Sequence, residues 1–489
     1  MGNGMIYYTI AAIGLIAVRI GLYKLFEKAG EKGWKAFVPI YGEYTWLQLI
    51  GRPAWWVILT LIPIIRTLVT ISMRIELVKS FGKYKFGEQA QAVILPFIYF
   101  PIIGFDQSSK YLGAPDTHKN IPVKSGAREW ADAFLFAGVA ALIIRTFFIE
   151  AFMIPTSSME RTLMAGDFLF VSKFHYGSRM PMVPLSVPFV HNKIFGKKSY
   201  LPLVQLPYFR LPGLKKVERN DIVVFNYPAH DYKELPDGIG TVEEVSMKEN
   251  YIKRCVGVPG DTLEVKDWQL HINGAPATNP AHMQYEYIVT TDGNQFPMST
   301  LTGLGFRDPQ KGSTNYNWYG PAQTGQPNIY IFQCPEDVIQ QIEGLHYVKG
   351  VERRTSTKGN VSSDLFPGSP MYKFNMDYYG PIVIPHKGMK VTLDRKSLPF
   401  YRRIIESYEG HEFEIKDNKI YIDGEETTEY TVEMNYYFMM GDNRHNSEDS
   451  RVWGFVPENH IVGKPLFIFF SYEKDFGIRF NRLGTSSIN

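Results

Sequence analysis

Apolar positions are spread unevenly along the 489-residue chain: they gather in long runs over the first 150 residues and afterwards alternate with polar ones in short stretches. "MIYYTIAAIGLIAVRIGL" (5–22) and "ADAFLFAGVAALIIRTFFI" (131–149) are each long enough to cross about 30 Å of hydrocarbon as a helix. "AWWVILTLIPIIRTLVTIS" (54–72) carries Pro63 and Arg66, which makes it a poorer span. "AVILPFIYFPIIGF" (92–105), with 14 residues and two prolines, suits a re-entrant segment. No small-x-small site follows the first run and further apolar segments do, so it reads as uncleaved. Loops 23–45, 74–90 and 106–128 each carry four Lys or Arg, and strict alternation cannot put all three inside. The loop before the last run (Lys110, Lys119, Lys124, Arg128) decides the rest: with it cytoplasmic, residues 151–489 lie outside.

Beyond residue 150, Gly and Pro break the chain every ten or so residues. "DIVVFNYP" (221–228), "DTLEV" (261–265) and "KIYIDG" (419–424) read as strands ending at turn residues. "TLEVKDWQLHINGAPAT" (262–278) and "EFEIKDNKIYIDGEETT" (412–428) match at six of 17 positions without gaps and read as two hairpins turned at Lys-Asp. The Gly-, Pro-, Tyr- and Asn-rich stretch between them reads as an insertion. The expected organisation is a multi-segment membrane region (1–128), an anchor (129–150), a mainly β domain in two parts (151–278 and 401–489) and an inserted subdomain (279–400).

Charge changes little in this picture. A net charge of +3 gives no case for a nucleic-acid partner, and two cysteines, Cys255 and Cys334, make neither a disulfide framework nor a CxxC knuckle. They read as free core thiols. GxxxxGK[ST], HExxH and GxSxG are absent. "DNRHNSED" (442–449) has Ser447 where a calcium loop needs glycine. No metal and no cofactor is expected.

Ser157-x-x-Glu160 has the form of a capping box and predicts a short helix through "MERTL". The same hydroxyl cluster offers a nucleophile, which then needs a base. No histidine stands in an evident motif with it. Lys253, in "NYIKRCVGVPGD" (250–261) among Ile252, Cys255 and Val256, is a candidate, since an apolar strand would desolvate the ammonium and favour the neutral amine. On the residues alone, cap and nucleophile, surface lysine and buried base, all stay open.

Four stretches in order, "IPTSSMERTLMAGD", "RNDIVVFNYP", "YIKRCVGVPGD" and "MGDNRHNSEDSRVWGFVP", resemble the motif boxes of the bacterial type I signal peptidases. The last is the most specific, matching at Gly441, Asp442, Asn443, Arg444, Asn446, Ser447, Asp449, Ser450, Arg451, Trp453 and Gly454. The resemblance covers 131–278 and 410–470. It implies an all-β catalytic domain behind a membrane anchor, with Ser158 as nucleophile and Lys253 as general base. Thr156 would join the Ser158 N–H in an oxyanion hole, and Ser447 would orient Lys253. Asp449 would pair with Arg451, and with Arg254, to hold the loop. Phe152, Ile154, Met159, Leu163, Tyr251 and Ile252 would line apolar pockets for small side chains. The implied partners are signal-peptide-bearing preproteins, the lipid bilayer and the secretion translocon. The implied location is the bacterial inner membrane, multi-pass, with the catalytic domain on the periplasmic side. Three departures keep the chemistry available: Arg161 stands for a usual proline, His445 for an Asp and Thr156 for a Ser. Self-cleaving Ser/Lys regulators and a catalytically decayed membrane scaffold are the alternatives. The first are soluble and carry a DNA-binding domain, and the second would have lost the Ser, Lys or Ser447 that this chain keeps.

Overall fold

The computed structural model describes residues 2–61, 63–115, 138, 141–184, 186–187, 190–201, 204–228, 244–307, 317–473 and 477–486. The chain divides into two units, 1–138 and 139–489.

The first unit is helical. Its described helices are Gly2–Lys28, Tyr41–Leu49, Trp56–Leu61, Pro63–Lys79, Phe86–Ile94 and Pro96–Phe105. They close around Leu22, Leu25, Phe26, Leu47, Leu77 and Phe100. Gly21 lets the first and last helices touch, since a Cβ there would meet the Phe100–Pro101 backbone at 2.6–2.7 Å. The residue before a proline avoids the helical region. Leu95 accordingly sits at φ −125°, ψ 48°, and the chain bends by 118° between Phe86–Ile94 and Pro96–Phe105. The bend falls inside the 92–105 run. Among the described residues no single helix is long and apolar enough to cross a membrane, and only this bent pair passes together. Residues 129–137 and 139–140 of the expected anchor lie outside the described residues. Its end is helical through Phe148, and Ile149 and Glu150 already belong to the first strand.

The second unit is mainly β. Its principal sheet runs Ile149–Met153, Asp167–Ser172, Ile461–Glu473, Ile222–Asn226, Asn250–Gly257, Tyr436–Met440 and Val456–Pro457, antiparallel throughout. Ile222–Asn226 is buried along its whole length, which is why its sequence is almost unbroken by polar residues. The two similar segments are hairpins as expected. Thr262–Lys266 and Gln269–Ile272 turn at Asp267-Trp268, with φ 46° and 63°. Phe413–Lys416 and Lys419–Ile422 turn at Asp417-Asn418, with φ 51° and 62°. Two positive φ angles in succession mark the turn whose twist suits a hairpin.

Between the hairpins, Trp318–Tyr319, Ile329–Cys334, Tyr285–Thr291 and Val348–Arg353 form a separate four-stranded sheet over its own core of Tyr287, Val289, Phe332 and Ile342. Further along, Tyr379–Val383 pairs with Thr262–Lys266, and Phe366, Tyr379 and Ile382 share one core with Val256 and Phe438. Cys255 and Cys334 are free and buried, as expected.

Candidate active site

The serine cluster lies on the loop joining Ile149–Met153 to Asp167–Ser172, pinned at its base by Ile154 N–H to Asp167 O (2.9 Å) and Gly166 N–H to Ile154 O (2.8 Å). The expected helix through "MERTL" does not form: residues 158–162 are turns, and Arg161 stands at φ 66°. Side chains pull this loop out of a helix. Glu160, read as the partner in a capping box, instead meets Arg307 at 3.2 Å with both side chains buried. Arg161 donates to Leu304 O at 2.9 Å. Burial pushes the Glu160 carboxyl up, with the Arg307 guanidinium opposing.

Lys253 sits mid-strand, opposite Val223. Period-two alternation puts it on the same face as Tyr251, and its Nζ lies 5.5 Å over the Tyr251 ring. Tyr251 stacks on Tyr227, with ring centroids 4.5 Å apart, and the Tyr227 hydroxyl donates to Glu448 at 3.0 Å. On this platform the Lys253 ammonium donates to Ser158 Oγ at 2.7 Å. Lys253 is 3% exposed and Ser158 8%. Burial lowers the Lys253 amine from the ordinary 10.5 to about 8, against the upward pull of Asp449, Glu448 and Asp442. Thr156 Oγ1 lies 3.4 Å from Ser158 Oγ. Among the described residues the backbone N–H of Ser158 has no acceptor.

The loop from Gly441 to Arg451 grips this turn from behind. Asn443 N–H donates to Ser158 O at 3.0 Å, and its side-chain amide to Ser157 O at 3.2 Å. Gly441 is required by contact: a Cβ there would meet Ser447 Oγ at 2.2 Å and Ser158 O at 2.6 Å. Ser447 therefore packs beside the serine turn. The expected bond from Ser447 to Lys253 is not found among the described residues: the Ser447 hydroxyl bonds the Glu448 carbonyl at 3.5 Å, and Lys253 donates to Ser158. Asp449 and Arg451 form the expected pair through two bonds of 2.9 and 2.7 Å. Burial alone would raise Asp449, and Arg451 with two backbone N–H groups holds it low instead. Arg254 does not join that pair. It takes Asp442 in a two-pronged contact of 2.8 and 2.7 Å, and Asp442 also accepts from Thr162 at 2.7 Å.

Of the six residues expected to line pockets, Ile154, Met159 and Leu163 are buried in one apolar cluster, with Phe152 and Ile252 packed against it. Tyr251 belongs to another, with Trp453 and Cys255. Sequence reasoning passed over several residues that complete the site: Asp442 as the partner of Arg254, Tyr227 with Glu448 under the platform, and Asp377, whose carboxylate meets His445 at 2.8 Å. Asp442 and Glu448 lie in the most specific box and Tyr227 in the second, whereas Asp377 carries no sequence signal and is brought in by long-range packing.

The family shows in comparisons with known proteins. Residues 127–310 and 383–470 match the family described as signal peptidase, peptidase S26, over more than half of the chain. Residues 34–114 match a family of unknown function, DUF5684. Signal peptidase I of Haemophilus influenzae is 25% identical over 414 residues, 81% of this chain and 85% of that protein. Signal peptidase I of Buchnera aphidicola from Acyrthosiphon pisum is 27% identical over 356 residues, 71% and 78% of the two chains. That of Pseudomonas aeruginosa is 23% identical over 355 residues, 70% and 72%. With the family match spanning the serine turn, the lysine strand and the loop that clamps them, this chain belongs to the peptidase S26 family, as a serine endopeptidase of the bacterial type I signal peptidase kind.

Proposed function

We propose that Ser158 and Lys253 are the dyad with which this chain carries out its family's reaction, removal of signal peptides from preproteins, and that it cuts after small-x-small sequences. The contact of 2.7 Å between Lys253 Nζ and Ser158 Oγ, in a buried setting, carries the reading. Neutral Lys253 takes the Ser158 proton as Oγ attacks the scissile carbonyl. The Ser158 N–H and the Thr156 hydroxyl receive the oxyanion. The Lys253 ammonium returns the proton to the departing amine, and the same lysine then activates the water that frees the acyl-enzyme. Asp449–Arg451 with Arg254–Asp442 hold the loop, and with it Ser447 beside the serine turn. The apolar cluster of Phe152, Ile154, Met159, Leu163 and Ile252 is the proposed neighbour of the small side chains before the scissile bond, with Tyr251 on the lysine side.

The bilayer is the proposed neighbour of both units. Phe467, Phe469, Phe470 and Tyr472 are each more than a third exposed near one end of the principal sheet. In the helical unit Leu15, Trp55, Ile58, Phe86 and Ile94 are each more than half exposed. Apolar surface of this extent is a burden in water and suits lipid. We place the chain in the bacterial inner membrane, multi-pass, with the catalytic unit outside and the translocon as a neighbour. Residues 279–400 are proposed as an insertion into the catalytic unit.

The test is cleavage of a model preprotein by detergent-purified protein, with the new N-terminus sequenced. S158A and K253A each abolish cleavage, the double variant is no worse than either, and S157A cleaves normally. Turnover by S158A would move the nucleophile elsewhere.

A further inference from the structure

A cavity of about 310 Å³, whose lining includes neither Ser158 nor Lys253, is walled by the end of the apolar run (Leu142, Arg145), Glu150, Lys173, Arg179 and His191. Among the described residues Arg179 on its wall lacks a counter-charge. Glu150 is, among the described residues, the one carboxylate on that wall, and it is shared between Arg145 at 2.7 Å and Lys173 at 2.6 Å. Arg179 donates only to neutral oxygens, Asn459 O at 2.6 Å and Asn226 Oδ1 at 2.7 Å. No carboxylate pairs with Arg179 among the described residues, and Arg210 beside it adds a like charge. A guanidinium cannot shed its proton, so a sheltered arginine without a counter-ion is costly. Ser246 adds a buried hydroxyl with no hydrogen-bond partner on the same wall. The remaining lining is aliphatic, with Leu142, Val187 and Val462 among it.

We infer that this cavity binds the phosphate of an anionic phospholipid headgroup, with Arg179 and Lys173 as its cationic ligands. Its volume is that of a small-ligand site. The anion would supply the missing counter-charge through charge-assisted hydrogen bonds. The acyl end would leave along the aliphatic wall at Leu142. That residue and Arg145 come from the end of the apolar run 131–149, so the cavity stands where a headgroup lies if that run crosses the bilayer. The source of the anion therefore rests on the membrane reading above. The charge imbalance does not.

The test uses the full chain in phosphatidylcholine nanodiscs with and without phosphatidylglycerol, following the unfolding temperature. Inorganic phosphate and glycerophosphoglycerol are added separately to the phosphatidylcholine discs. Phosphatidylglycerol should raise the unfolding temperature in a saturable way. R179Q should raise the half-saturating fraction about tenfold or more, as expected for one lost charge-assisted hydrogen bond. E150Q, which removes the competing carboxylate, should lower it. K416Q, on an exposed hairpin, should leave it alone. An equal shift in R179Q and in the unaltered chain overturns the site, and E150Q tests it again should R179Q fail to fold. Free phosphate matching the lipid overturns the headgroup as the source. Cleavage is not the readout, so failure here leaves the Ser158–Lys253 assignment standing, and a chain that does not enter discs would expose a failure of the membrane reading instead.

Discussion

Replacing Lys253 with methionine should abolish cleavage and at the same time stabilise the fold. Burial lowers the amine from 10.5 to about 8, and a shift of that size corresponds to about 3 kcal/mol of unfavourable ammonium burial. The folded pKa lies below the unfolded one. Between about pH 8 and 10.5 the unfolded chain therefore binds more protons than the folded one, and stability rises with pH across that window. Below about pH 8 the penalty is present in full. Methionine removes it, fills a similar volume over the Tyr251 ring, and loses the bond to Ser158, worth about 1 kcal/mol. The net gain for K253M is then about 2 kcal/mol at pH 7, shrinking to nothing or reversing near the upper end of the window. Thermal unfolding of both proteins in one detergent, at pH 7 and again at pH 10, measures it. A K253M protein that melts lower than the parent at pH 7, or a difference that does not shrink as pH rises, would refute the claim that the fold carries a strained, desolvated ammonium.

Three further outcomes follow from the same geometry. Cleavage should fall about tenfold per pH unit below an apparent pKa near 8, since only the neutral amine acts as base. It should survive chelators, and E448Q should move the limb to lower pH by removing one of the carboxylates that raise the amine. A limb near pH 6 with loss of activity on chelation would point to a histidine or a metal. D442A should lower stability by about 3–5 kcal/mol by stranding the buried Arg254, read as a drop in unfolding temperature far beyond that of E414A on an exposed strand. A reporter active only in the cytoplasm, fused after Asn489, should stay silent, and activity there would invert the topology.

Several features of both units were legible in the residues alone. Lys-Asp steps between alternating strands predicted both hairpins, because the turn needs left-handed residues and Asp and Asn tolerate that conformation, although the first hairpin also places Trp268 there, at φ 63°. Pro96 marked the break in the 92–105 run through a clash with the residue before it. The four boxes together, through their resemblance to a family, nominated the serine and the lysine. What those residues touch was decided only in the folded chain. Ser158 and Lys253 meet across 95 positions. The capping box at Ser157–Glu160 failed because Arg307, in a distant segment, offered Glu160 a buried charge that no local rule could weigh. Arg254 took Asp442 rather than Asp449 because Arg451, two residues along, already occupies Asp449 from within the same turn. Turn and strand preferences are set by neighbours in the chain, whereas a buried charge seeks whichever partner packing brings within about 3 Å, and in this protein that partner is often hundreds of residues away.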